Sequence, residues 1–304
     1  MWPSMSARIV LSEPLQRLTP DQPAWPPGLA ALPDPPTALH LAGVLPDLTQ
    51  AVAIVGTRFA NDEALRFTRR LARELAAAGR VVISGGAAGI DAEAHRGALE
   101  VAGRTLAVLA TGLVNAYPRQ HAGLFAAIAR SGGLVCEFAD KPSGGGWLFL
   151  QRNRLIAALA TTVVVVQAPY KSGALSTAHW AKSLSRRMLV VPASPWDEHG
   201  KGCLELLRGG AEICTSATDI LLVPPFEARD RRKRARPRKE LNHHAILAPC
   251  SRTVWKCVRC GVCHPDEIAA TLDMPAAEVQ EALLDLLLRG LCRQRADGGY
   301  VSDD

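Results

Sequence analysis

Two glycine-rich turns are the first residues in this chain whose types and spacing could hold a charged ligand. Gly56-Thr57-Arg58 follows an apolar run at 51–55 and opens an amphipathic stretch. A helix N-terminus offers unpaired N–H groups and a positive dipole, glycine lets a phosphate come close, and a guanidinium can grip it with two parallel hydrogen bonds. The same tripeptide also reads as an ordinary strand-to-helix turn with a solvated arginine. The run Ser84-Gly85-Gly86-Ala87-Ala88-Gly89-Ile90-Asp91 says more, because its glycines and alanines clear side chains from a second junction and leave a backbone nest suited to an anion. Asp91 reads as the cap of the helix that follows, in preference to a catalytic acid. His95 lies further along that helix, and with no serine or cysteine paired to it reads as a packing or hydrogen-bonding residue.

The elements that must position these turns follow from hydrophobic pattern. Apolar runs at 51–55, 80–83, 105–109, 134–136, 162–166 and 188–191 lack the alternation of a sheet with one wet face, so both faces should be covered by helices. Amphipathic stretches at 62–78, 92–101, 119–130, 152–159 and 175–184 supply them. Alternation of this kind, with right-handed crossovers, specifies an α/β fold: a doubly wound, extended Rossmann-like parallel sheet. In such a sheet ligands sit beyond the carboxyl ends of the strands, where both glycine turns belong.

On this pattern residues 1–45, rich in proline and without a sustained period, form an arm laid over a Rossmann-like domain at 46–222. Residues 223–241 are a basic linker, since 231–239 carries seven positive charges in nine residues and must stay solvated. Residues 242–304 form a small winged-helix-like domain, with helices at 265–272 and 275–289 started by Pro265 and Pro275 and a hairpin at 291–302 around Asp297-Gly298-Gly299. Its candidate recognition helix puts Glu278, Glu281 and Asp285 on one face, which would meet phosphates unfavourably, so this domain is expected to bind protein.

The 304 residues, 48% hydrophobic and 21% charged, can bury one large core and a smaller second one. No stretch approaches the roughly 20 apolar residues of a membrane span. No signal peptide is evident at the start, and a soluble cytoplasmic protein is the expectation. Cys257, Cys260 and Cys263, followed by His264, have spacings that suit zinc or an iron–sulfur cluster, with Cys250 a further donor. They fall where a first helix and turn of the small domain belong, and are taken as packing cysteines. No metal and no cofactor is expected.

The string from Ser84 to His95, about thirty residues after Val55-Gly56-Thr57-Arg58, resembles the DprA/Smf family of DNA-processing proteins. Further matches come in order: Thr111-Gly112-Leu113 with Tyr117-Pro118, Arg152 through Ala157, and Lys171-Ser172-Gly173 running on to Ala178. The resemblance covers roughly residues 25 to 222. It implies single-stranded DNA binding without turnover, protection of incoming strands in natural transformation, RecA loading, and a homodimer. It assigns no catalytic residue. The DNA site it implies takes in Gly56, Thr57, Arg58, Ser84, Gly85, Gly86, Gly89, Arg119, Phe149, Arg152, Asn153, Arg154, Lys171, Ser172 and Gly173. Of these Arg58, Arg119 and the Arg152/Arg154 pair would grip the phosphate backbone. Phe149 and Trp147 would either stack on a base or pack in the core. His121 stands where the family usually has asparagine, Pro192-Ala193 replaces Pro-Gly, and Cys203-Leu204 replaces a polar pair.

A second function class is a nucleotide-binding Rossmann enzyme of the phosphoribohydrolase (lysine-decarboxylase-like) type. Its glycine loop is followed by a glutamate, whereas here Lys171 to Thr177 offers no acid to act on a ribosyl bond, which favours a binding protein over an enzyme. A dehydrogenase is disfavoured because Gly-x-Gly-x-x-Gly is absent after the first strand.

Overall fold

A computed structural model describes residues 9–11, 14–114, 117–138, 147–170, 172–222, 248–259, 264–288, 291–294 and 298–302. The chain divides into two units, Met1–Glu227 and Ala228–Asp304.

In the larger unit the apolar runs become strands buried on both faces. β3 (Val52–Val55), β4 (Val82–Ser84), β5 (Thr105–Leu109), β6 (Gly133–Cys136), β7 (Thr162–Val165), β8 (Arg187–Val190) and β9 (Glu212–Ile213) are parallel, in the order β6-β5-β4-β3-β7-β8-β9. Side chains alternate across β3. Val52 and Ile54 cluster with Leu71 and Leu75 of α1 (Asp62–Ala77) and with Ala94 and Ala98 of α2 (Ile90–Glu100). Ala53 and Val55 cluster with Leu155 and Leu159 of α4 (Trp147–Leu159) and Ala178 of α5 (Gly173–Ser183). Between them in sequence, α3 (Ala122–Ser131) seals β5 and β6 through Phe125 and Ile128. Helix α1 starts where Asn61 accepts the Ala64 N–H at 2.8 Å, with Asp62 and Glu63 complementing the dipole.

Strand order sets the place of the site. From β3 the chain adds β4, β5 and β6 on one side and then returns to add β7, β8 and β9 on the other. The turns after β3 and β7 therefore diverge at a topological switch point, where open α/β sheets bind ligands.

The expectation for residues 1–45 needs correction. They are not only an arm, because β1 (Gln16–Leu18) and β2 (Leu39–Gly43) extend the sheet, β2 pairing antiparallel with β6 and β1 with β2. Strands this short, separated by a proline-rich turn and the 3-10 helix Pro27–Ala31, carry too few residues to display a period. Helix α4 also begins earlier than expected, at Trp147, and α6 (Lys201–Arg208) and the short α7 (Thr218–Leu221) complete the unit.

The smaller unit is a winged helix. Helices α8 (Pro249–Arg259), α9 (Pro265–Leu272) and α10 (Ala276–Leu288) pack Val254, Trp255, Ile268, Val279, Leu283 and Leu286 into one core. The antiparallel pair β10 (Cys292–Gln294) and β11 (Tyr300–Ser302) forms the wing. Glu278 and Glu281 are exposed on α10. Cys257 packs against this core and Cys250 is exposed, while Cys260, Cys263 and the segment 223–241 lie outside the described residues. No group of metal-ligating side chains occurs among the described residues, and none of their helices is long and apolar enough to cross a membrane.

Candidate nucleic-acid interface

The turns after β3 and β7, the start of α2 and the N-terminal half of α4 line a cavity of about 480 Å³. Backbone bonds tie the turns together. The Thr57 N–H donates to the Gln167 carbonyl at 2.7 Å and the Ile90 N–H to the Thr57 carbonyl at 3.3 Å. Gly89 sits against this junction with φ +77°, and a Cβ there would lie 2.5 Å from the Thr57 carbonyl oxygen. Only glycine satisfies both the dihedral and the contact.

Two buried side chains hold the second turn from beneath. Arg152, 7% exposed, donates Nη1 to the Gly85 carbonyl at 2.6 Å and also to the Val108 carbonyl. His121, equally inaccessible, donates Nδ1–H to the Gly86 carbonyl at 3.0 Å and meets Phe125 edge-on. Two successive carbonyls are thus anchored, and the turn cannot rotate its peptide planes without breaking buried hydrogen bonds. Asp91 accepts the Ala87 N–H at 3.3 Å from the other side. Burial pushes its pKa up, against the opposing pull of the Arg152 charge and the Ala87 N–H, and the same burial brings Arg152 down to about 10. Asp91 is therefore not the helix cap: Gly89 occupies that position and Asp91 folds back onto the turn.

His95 is wholly buried. The Thr105 hydroxyl donates to the Val82 carbonyl at 2.7 Å, so it accepts from His95 Nδ1–H, also at 2.7 Å. Burial lowers the His95 pKa to about 3, which leaves the ring neutral and unsuited to general-base work near neutral pH. Above pH 6.5 the ring is neutral in folded and unfolded chains alike. Below it the unfolded chain takes up a proton the native state refuses, so stability falls as pH falls from 6.5 towards 3. Urea unfolding should show a loss of about 2 kcal/mol between pH 7 and pH 5 from this residue. A His95→Gln variant should show a flatter profile, and an unchanged slope would contradict the assignment.

At the mouth of the cavity the chemistry changes from internal to outward-facing. The Arg58 guanidinium is exposed and lies over the Phe149 ring, 4.8 Å from its centroid. Tyr117 meets the same ring edge-on at 5.8 Å. Phe59 is 81% exposed beside Arg58, Leu150 is exposed beside Phe149, and Arg119 is exposed two residues after Tyr117. A cation on an aromatic face above a concave, glycine-lined floor can meet a phosphate and a flat ring together.

A family model described as DNA recombination-mediator protein A matches residues 16–223, more than half of the chain. The chain belongs to the DNA recombination-mediator protein A family. A model of the DprA winged helix domain matches residues 238–298, most of the smaller unit. Protein Smf of Synechocystis sp. is 43% identical over 213 residues, 68% of this chain and 53% of that protein. A putative DNA processing protein DprA of Mycobacterium tuberculosis is 38% identical over 252 residues, 83% of this chain and 64% of that one. The chain thus spans less than two thirds of the length of these relatives. Among solved structures, DprA of Streptococcus pneumoniae matches with a TM-score of 0.64 and 32% identity, over 68% of this chain and 74% of that one. DNA processing protein A of Helicobacter pylori, whose structure was described for its unique single-stranded DNA binding mode, matches at 0.62 and 31%, over 71% and 96%.

In this family member the cavity gathers Gly56, Thr57, Arg58, Phe149, Arg152, Asn153, Ser172 and Gly173 from the expected set. Gly85, Gly86 and Gly89 do not line it: Gly85 packs on Arg152, Gly86 on Phe125 and Gly89 on the Thr57–Arg58 backbone, while Arg119 stands exposed on the turn after Tyr117-Pro118. Ser84 is buried and donates to the Ile54 carbonyl at 2.6 Å, stitching β4 to β3. Arg152 and Arg154, expected as a pair of phosphate grips, are turned inward. Arg152 serves backbone carbonyls, and Arg154, 4% exposed, is paired with Glu137 at 2.6 Å. Both lie in the stretch 152–159 of α4, which is buried on every side, a burial their charge concealed. Asn153 donates to the Gly173 carbonyl at 3.0 Å, and Ser172 caps α5 by accepting the Ala174 N–H. Lys171 and the Trp147 side chain lie outside the described residues. Phe59 and Leu150 were missed, although an apolar residue directly after Arg58, ahead of the helical period, was a usable signal.

Proposed function

We propose that this chain binds single-stranded DNA at the carboxyl-edge cavity and performs no chemistry on it. The observation that supports this most is Arg58 laid over Phe149 at the mouth. An exposed guanidinium suits a phosphate, and each base stacked on an aromatic ring contributes roughly 1–3 kcal/mol. Contacts of this kind are indifferent to sequence. Nearby acid and base groups are withdrawn from solvent, since Asp91 is tied to the Ala87 N–H and His95 is buried. In the wider role the bound strand is protected and handed to RecA during homologous recombination and natural transformation, with a homodimer as the working assembly. The basic run 231–239 adds affinity through counterion release, and the acidic face of α10 meets protein in place of duplex.

Anisotropy of a labelled oligothymidine, single-stranded and duplex, tests the central step. Single strands should bind more tightly than duplex. Affinity should fall with salt with a logarithmic slope of about −0.7 per phosphate contacted, and the slope should be shallower in a chain lacking 231–239. Failure of both forms to bind at low salt would reject the reading and redirect attention to nucleotide hydrolysis. The RecA step has its own readout: the chain should raise RecA ATP hydrolysis on single strands, and an unchanged rate would remove RecA as a partner.

A further inference from the structure

The α1 side of the sheet carries a second groove, of about 350 Å³, between α1 and the turn after β8. Phe67 lines it and also lines the shallower depression beside it, which runs past Arg66 and Arg70. Trp196 forms the opposite wall and is 84% exposed. A large ring held in water contributes little to a core, and exposed aromatic surface marks contact sites.

One residue joins this groove to the cavity already described. The Gln167 carbonyl accepts the Thr57 N–H that positions the first turn. Its side-chain amide accepts the Asn61 N–H at 3.1 Å and donates to Asp197 at 3.1 Å, bracing the wall that carries Trp196. The two concavities therefore share a strut.

Arginines line the α1 margin of the groove. Arg66, Arg70 and Arg73 recur on α1 at spacings of four and three, which puts them on one exposed face. Arg69 is engaged with Glu93 and Glu100, and Arg70 stands 4.0 Å from Glu74 with its guanidinium over the Phe67 ring. Arg66 and Arg73 have no carboxylate within ion-pair distance among the described residues. Glu63, which lines the depression together with Arg66 and Arg70, and Asp197 on the opposite wall would repel a phosphate, but a carboxylate accepts readily from a base N–H. Exposed Trp196 on one wall, with Phe67 and the exposed arginines of α1 on the other, matches a nucleotide chain that turns its bases to Trp196 and Phe67 and its phosphates to Arg66 and Arg73. The pattern Arg58-Phe59 at the first site recurs as Arg66-Phe67 here.

We propose that this groove is a second binding segment for the same single strand, which passes from the cavity mouth over Trp196 and Phe67 and along the arginine face of α1. The proposal rests on single-stranded DNA binding at the cavity, and the test separates the two. Affinities of the intact wild-type chain and of a Trp196→Ala/Arg66→Ala/Arg73→Ala variant would be measured for oligothymidines of about six and about twenty nucleotides. For the long strand the variant should lose roughly tenfold in affinity, and the salt slope should shrink by about 1.4 for two lost phosphate contacts. Short-strand binding should be unchanged. Equal long-strand affinity in variant and wild type would overturn the groove while leaving the cavity intact. Equal losses for both lengths would also overturn it, because the residues would then act on the first site. A wild type that binds neither length would overturn the groove together with the reading beneath it.

Discussion

Replacing Arg152 with methionine should lower the free energy of unfolding by about 3–5 kcal/mol, the usual consequence of removing one partner from a buried polar cluster. The side chain satisfies the carbonyls of Gly85 and Val108 and supplies the charge that offsets the buried Asp91. Methionine keeps the apolar stem and strands all three groups. A urea titration should show the midpoint falling with an unchanged slope. Arg152→Lys should recover only part of the loss, since an ammonium on a shorter reach cannot span both carbonyls as the guanidinium does. Adding Asp91→Asn to the methionine variant should restore some stability by removing the stranded carboxylate. If Arg152→Met unfolds at the wild-type midpoint, the buried cluster is not what holds the glycine turn.

Arg58→Ala should do the opposite, leaving stability within about 1 kcal/mol while weakening single-strand binding. Arg58 is exposed and contacts the protein mainly through the Phe149 face, so the fold has little to lose. A charge-assisted phosphate contact and the ordering of an aromatic platform would go together, so affinity should fall roughly 10- to 100-fold at fixed salt. Phe149→Ala should weaken binding by roughly 1–3 kcal/mol. The double variant should lose less than the sum, because the cation and ring are in contact and each single change already disturbs the other. Arg58→Lys keeps the charge without the planar fork and should fall between. Wild-type affinity in Arg58→Ala would show that DNA contacts lie elsewhere.

Much of this architecture was legible because the parallel strands are short apolar runs and the helices between them have apolar stripes. The glycine turns were legible for a related reason: Gly89 serves a backbone contact that no other residue permits. What the sequence concealed was direction. Arg152 and Arg154 resemble Arg58 and Arg119 in composition, yet the first pair lies in a stretch of α4 buried on every side while the second pair stands on turns in water. The role of His121 was hidden because its partner is a carbonyl at Gly86, thirty-five residues away. Strands β1 and β2 escaped notice because their place depends on pairing with β6, a contact across the fold that local pattern does not encode.

That pairing bears on how the chain can be cut. β2 occupies the outer hydrogen-bonding row of β6 from His40 opposite Cys136 to Gly43 opposite Gly133. A version starting at residue 46 would bare that row, with apolar Leu134 and Val135 beside it, as a ready template for another strand. Truncation there would trade a covered margin for a self-adhesive one, so the proline-rich leader works as the hem that keeps the sheet from joining its neighbours.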